Sequence, residues 1–199
     1  MMKRLLTAAF AAAVLAAGSG AALAANVSFT GNLASDNDVQ LFSFTLAADA
    51  DVTLRTWSYA GGMNAGGSAI GAGGFDPIVS LFSGLGGAAL LIGANDDGTG
   101  VAVDPSTGFA FDSLLEVLAL PAGTYTVALS EFDNFANGPT LDDGFLGNNV
   151  QGFDGRSAAW ALDILGVDAA SRIPEPTSLA LALFGLAAAG AGAANRRRA

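Results

Sequence analysis

The stretch Thr124-Tyr125-Thr126-Val127-Ala128-Leu129-Ser130-Glu131-Phe132 carries Tyr125, Val127 and Leu129 at every second position. Apolar residues with a period of two, rich in β-branched and aromatic types, mark a half-buried strand and not a helix. The pattern recurs on either side of it. Residues 158–165 alternate Trp160, Leu162 and Ile164; residues 40–46 put Phe42, Phe44 and Leu46 on one face; residues 52–59 turn Val52 and Leu54 inward. Further strands are expected at 27–30, 78–82, 89–94 and 114–120. About eight short antiparallel strands, with no helical periodicity between them, imply an all-β fold, a β-sandwich or jelly roll.

Two stretches break the rhythm. Residues 61–74 are dense in glycine and poor in large apolar side chains, so they read as a long flexible loop, too weak in apolar content to make a sheet. Residues 134–155 are a second irregular stretch, carrying Asp142, Asp143 and Asp154.

Both ends differ from this middle. Lys3 and Arg4 precede an apolar run that closes on Ala22-Leu23-Ala24, the layout of a secretory signal helix with signal peptidase cutting before Ala25. At the other end Pro174-Glu175-Pro176 is followed by a short apolar helix and then Arg196-Arg197-Arg198. The arginines would stay cytoplasmic by the positive-inside rule, leaving the Pro-Glu-Pro outside an inner membrane that the helix holds transiently. Expected units are therefore a signal peptide at 1–24, one β-sandwich domain at 25–172 and a hydrophobic sorting tail at 173–199. A plain C-terminal membrane anchor is the alternative for the tail.

Of 18 acidic residues only Glu175 lies outside 25–172, where the basic residues are Arg55, Arg156 and Arg172, so the domain carries about −14. Such a surface repels phosphate backbones, and no nucleic-acid partner is expected. The chain has no histidine and no cysteine, and Lys3 is its one lysine. Ser-His-Asp, Cys-His and Ser-Lys catalysis are thereby excluded, as are the usual zinc sites. Asp97-Gly98-Thr99-Gly100 has glycine where the aspartic-protease triplet needs threonine or serine.

Calcium fits better, because it takes oxygen ligands that glycine-flanked Asp and Asn loops supply. The candidate ligands are Asp76, Asn95, Asp96 and Asp97, with Asp104 and Asp112 as possible neighbours and Asp142, Asp143 and Asp154 as a second group. Asn95-Asp96-Asp97-Gly98 also reads as a simple hairpin turn, since Asp-Gly favours the required backbone. A carboxylate hydrolase could draw on Glu116, Glu131 and Asp133, although Glu116 and Glu131 read as solvent-facing strand positions. Phe42, Phe44, Phe82, Tyr125 and Trp160 are assigned to the core. Trp57, Tyr59, Phe75, Phe132, Phe135, Phe145 and Phe153 lie near loops, where they either anchor the loop or stack on a sugar.

The tail, with Pro174-Glu175-Pro176, an apolar helix and terminal arginines in that order, resembles the PEP-CTERM sorting domain of Gram-negative, biofilm-forming bacteria. That resemblance implies processing by an exosortase-like membrane enzyme. The middle resembles pre-peptidase C-terminal type β-sandwiches, and more closely the DVUA0089 family of secreted PEP-CTERM proteins. It does so through Asp38 to Phe44, Phe75 to Phe82, Asn95-Asp96-Asp97-Gly98 and Leu120 to Val127. One departure is Gln40, where that pattern often has a second aspartate. The resemblances imply an exported, non-catalytic protein of the outer surface or extracellular matrix, associated with exopolysaccharide. The alternative is a calcium-dependent carbohydrate-binding or adhesion module with an exposed aromatic on the calcium rim.

Overall fold

The computed structural model describes residues 24–147 and 152–174. The expected signal helix and C-terminal helix lie outside these residues, as do Ala22, Glu175, Pro176, Arg196, Arg197 and Arg198. Ala24, Ala25 and Pro174 lie within them.

The strands are β1 (Ala25–Asn32), β2 (Gln40–Leu46), β3 (Ala50–Trp57), β4 (Gly62–Met63), β5 (Ala69–Ile70), β6 (Pro77–Ser83), β7 (Leu90–Asn95), β8 (Leu114–Leu120), β9 (Gly123–Glu131), β10 (Ala159–Val167) and β11 (Ala169–Arg172). Two antiparallel sheets pack face to face, one ordered β1-β10-β3-β8 and the other β11-β2-β9-β6-β7. The fold is an all-β sandwich, and every expected strand is present with its ends shifted by at most two residues.

The core lies where the alternation places it. Phe42, Phe44, Val127 and Leu129 from one sheet meet Val52, Leu54, Trp160, Leu162 and Ile164 from the other, all buried. Phe44 stacks on its cross-strand partner Tyr125 at 5.0 Å between ring centroids. Each such side chain contributes about 1.5–3 kcal/mol on leaving water, which lets the sandwich stand without disulfides.

The glycine-rich stretch 61–74 departs from expectation. It contains the two-stranded hairpin β4-β5, with Gly62 opposite Ile70. What holds the hairpin is a polar anchor and not apolar content: the Asp163 carboxylate, on the outer face of β10, accepts from Ser28 Oγ, Trp57 Nε1 and Ala65 N. Glycine is required here because a Cβ on Gly62 would lie 2.5 Å from the Trp57 ring. The second irregular stretch covers the outer face of the other sheet, where Phe145 packs on Phe82 and Leu141 N donates to Ala89 O. Strand β11 had no expectation, because Ala-Ala-Ser-Arg has no alternating large residues; the free edge of β2 recruits it.

Candidate cation site and neighbouring cleft

At one end of the sandwich β6 begins, β7 and β9 end, and β8 begins. Asp76 stands just before β6, and Asp96 and Asp97 just after β7. Because β6 and β7 pair antiparallel with Val79 opposite Asn95, these residues meet although 20 positions separate Asp76 from Asp96. One carboxylate oxygen from each of Asp76, Asp96 and Asp97 lies within 4.8 Å of the others. Oxygens each 2.3–2.6 Å from one calcium ion can stand at most about 5 Å apart, so the three fit a shared ion. Among the described residues no other group of three acids converges in this way.

The loop is held firmly. Ser113 Oγ is within hydrogen-bond reach of the carbonyls of Pro77, Asn95 and Asp96, and Asn95 Oδ1 accepts from Leu114 N at 2.8 Å. The Asn95 amide therefore positions the loop; its oxygen already has a donor. Nor is Asn95-Asp96-Asp97-Gly98 a hairpin turn, since β7 and β8 belong to different sheets. Gly98 is needed because a Cβ there would sit 2.6 Å from Leu114 Cβ.

The electrostatics are unbalanced. Burial, reinforced by Asp96, Asp97, Asp112 and Glu131, pushes the Asp76 carboxyl up to about 8. Burial and then Asp97 and Asp133 also raise Asp96. The Oδ1 atoms of both are buried with no hydrogen-bond partner. A buried carboxylate without donors must bind either a proton or a cation.

The other candidate ligands are committed elsewhere. Asp112 accepts from Ser58 N, Tyr59 N, Ala60 N and Thr56 Oγ1. Asp104 pairs with Arg156 at 2.6 Å and accepts from Ser106, which hold its carboxyl down to about 2. Asp143 caps Thr140, bonding both its N and its Oγ1, and is lowered by those bonds. Asp142, Asp143 and Asp154 do not converge. Asp38 accepts from Ala34 N and Ser35 N within its own turn.

Beside the acid cluster lies a cleft of about 280 Å³, bordered by Asp76, Glu131, Asp154, Tyr59, Phe132 and Phe153. Glu131 corrects the sequence expectation. It is 5 % exposed, its Oε2 has no partner, and burial followed by Asp36 and Asp154 pushes it up to about 7. The signal was available: Glu131 shares the parity of Tyr125, Val127 and Leu129, the core-facing side. Glu116 is exposed, as expected. Tyr59 and Phe75 are buried, whereas Phe132 is 43 % exposed on the cleft rim.

The tail leaves the sandwich at this same end. Arg172, the last residue of β11, pairs with Phe42 near the start of β2, lies 4.9 Å from the Trp160 ring, and donates to Thr30 O. Ile173 N then donates to Leu41 O, so strand pairing persists up to Pro174. Residues 172–198 match a known sorting signal. The tail is a PEP-CTERM protein-sorting motif. The PEP-CTERM motif implies an exported chain, held transiently in the membrane and processed by an exosortase-like enzyme. It covers the tail alone and does not show the expected resemblance of residues 31–132 to DVUA0089-type proteins. No curated protein matches the chain. No helix among the described residues is long and apolar enough to cross a membrane.

Proposed function

We propose that this exported protein is a non-catalytic binding module of the cell surface or extracellular matrix, associated with extracellular polysaccharide and dependent on a calcium ion held by Asp76, Asp96 and Asp97. The observation that carries the calcium reading is the convergence of three carboxylates, two of them with buried oxygens that lack any donor. The PEP-CTERM motif supports delivery to the exterior, where millimolar calcium suits a site of modest affinity. Signal peptidase cleavage before Ala25 would leave β1 at the new N-terminus.

Calcium titrated into the metal-stripped exported protein tests this. Saturable heat at one ion per chain, with a raised melting temperature, is the expected result, since a ligand that prefers the native state stabilises it. No heat and no shift up to millimolar calcium would end the calcium reading.

A carboxylate hydrolase is the competing reading, favoured by Asp76 and Glu131 facing one cleft. It conflicts with calcium on chemical grounds. Such an enzyme needs a protonated acid beside an ionised partner, and a bound cation keeps Asp76 ionised. Release of reducing ends from a polysaccharide that stops when calcium is added would favour the enzyme.

A further inference from the structure

We propose that the cleft beside the cation site takes an amino-sugar unit, its ammonium paired with Glu131 and its ring face laid on Phe132. The inference rests on the polysaccharide part of the proposed function and names the chemistry of the sugar. Glu131 is 5 % exposed, borders the cleft, and leaves Oε2 without a donor. A side chain buried to that degree, facing an opening with Asp76 and Asp154 on its walls, calls for a positively charged guest.

The arginine that borders the cleft cannot serve. Arg156 borders the cleft, but its guanidinium is paired with Asp104 at 2.6 Å and stacked over Tyr59 at 3.6 Å. A second metal ion does not fit either. The carboxylates of Asp76, Glu131 and Asp154 do not converge as those of Asp76, Asp96 and Asp97 do, and aromatic walls supply no oxygen ligands.

Rings and carboxylates together suit an organic cation, because aromatic faces attract an ammonium and stack on flat apolar surfaces. The opening of about 280 Å³ is just under the smallest usual ligand pockets, about 300 Å³, and so suits a single ring. A lysine side chain is a narrow stem with no ring face to lay on the half-exposed Phe132.

The test uses the purified exported protein and three probes: a β-1,4-linked glucosamine tetramer, its fully N-acetylated counterpart, and trilysine. The glucosamine tetramer is expected to bind, with the N-acetylated form and trilysine each weaker by about tenfold or more. Glu131→Gln and Phe132→Ala should each lower glucosamine affinity by about tenfold. Both should still take up one calcium ion per chain and melt cooperatively, which shows that the variants are folded, although loss of the Glu131 charge beside Asp76 shifts the calcium affinity itself. Equal binding of the two tetramers overturns the ammonium assignment while leaving a polysaccharide role standing. Binding of neither tetramer, tighter binding of trilysine, or full affinity in Glu131→Gln also overturns it. A missing calcium signal beside intact discrimination of the tetramers would fault the calcium reading alone.

Discussion

Arg156 Nη2 donates to Asp104 Oδ2 at 2.6 Å, joining segments 52 positions apart, and the same guanidinium donates to the carbonyls of Gly74 and Tyr59. One side chain thus ties the glycine-rich stretch, the 101–113 connection and the end of the second irregular stretch into one wall of the cleft. Arg156→Ala is expected to lower the melting temperature by roughly 5 °C or more. Arg156→Lys should recover less than half of the loss, because an ammonium cannot reproduce the planar fork. Thermal melts of the two variants check this.

Asp97 and Asp112 stand close in the fold and should behave oppositely. Asp97 is exposed in the acid cluster, so Asp97→Asn should weaken calcium binding about tenfold while leaving the metal-free melt nearly unchanged. Asp112 accepts from three backbone N–H groups, so Asp112→Asn should cost about 1–3 kcal/mol of metal-free stability. Paired calorimetry and chemical denaturation separate the two roles.

The metal-free protein should lose stability as pH rises. Asp76 and Glu131 are raised in the folded state, to about 8 and about 7, from ordinary carboxylate values of 3.8 and 4.5. The folded state therefore holds more protons than the unfolded one between about pH 4 and 8, and stability falls across that window. Asp104, held near 2 by Arg156 and Ser106, acts in the opposite sense but only below about pH 4. Saturating calcium should flatten the upper part of the slope. A metal-free melting temperature that rises from pH 5 to 8 would contradict this account.

Asp163→Ala should release the β4-β5 hairpin without unfolding the sandwich. The carboxylate bonds Trp57 Nε1 at 2.7 Å and Ala65 N at 2.9 Å, and a Cβ alone can hold neither. With only two tryptophans in the chain, and Trp160 2 % exposed, a red shift in emission reports on Trp57. Faster proteolytic cutting within 61–74 should accompany it.

Replacement of Pro174-Glu175-Pro176 by alanines should stop processing of the tail. The uncut chain would then collect in the membrane fraction at its precursor mass, whereas the unaltered chain is recovered cut. Equal processing of both chains would show that the tripeptide is not what the membrane enzyme reads.

Period-two alternation marked the longer strands and the core, because a pleated chain turns every second side chain the same way whatever surrounds it, but not β4, β5 or β11, which carry no alternating large residues. Phe42, Phe44, Val127, Leu129, Leu162 and Ile164 needed no further information. The sorting motif was legible for a similar reason: its meaning is carried by local order along the chain, Pro-Glu-Pro, apolar segment and arginines. The roles of the acids were not local. Asp76, Asp96, Asp104 and Asp112 look alike in sequence, and only the pairing of β6 with β7, and the crossing from β7 to β8 between sheets, left Oδ1 of Asp76 and of Asp96 buried without a donor while giving Asp112 four and Asp104 an arginine. A carboxylate's chemistry depends on which donors and charges surround it, and those neighbours arrive from distant segments that only the closed sandwich brings together.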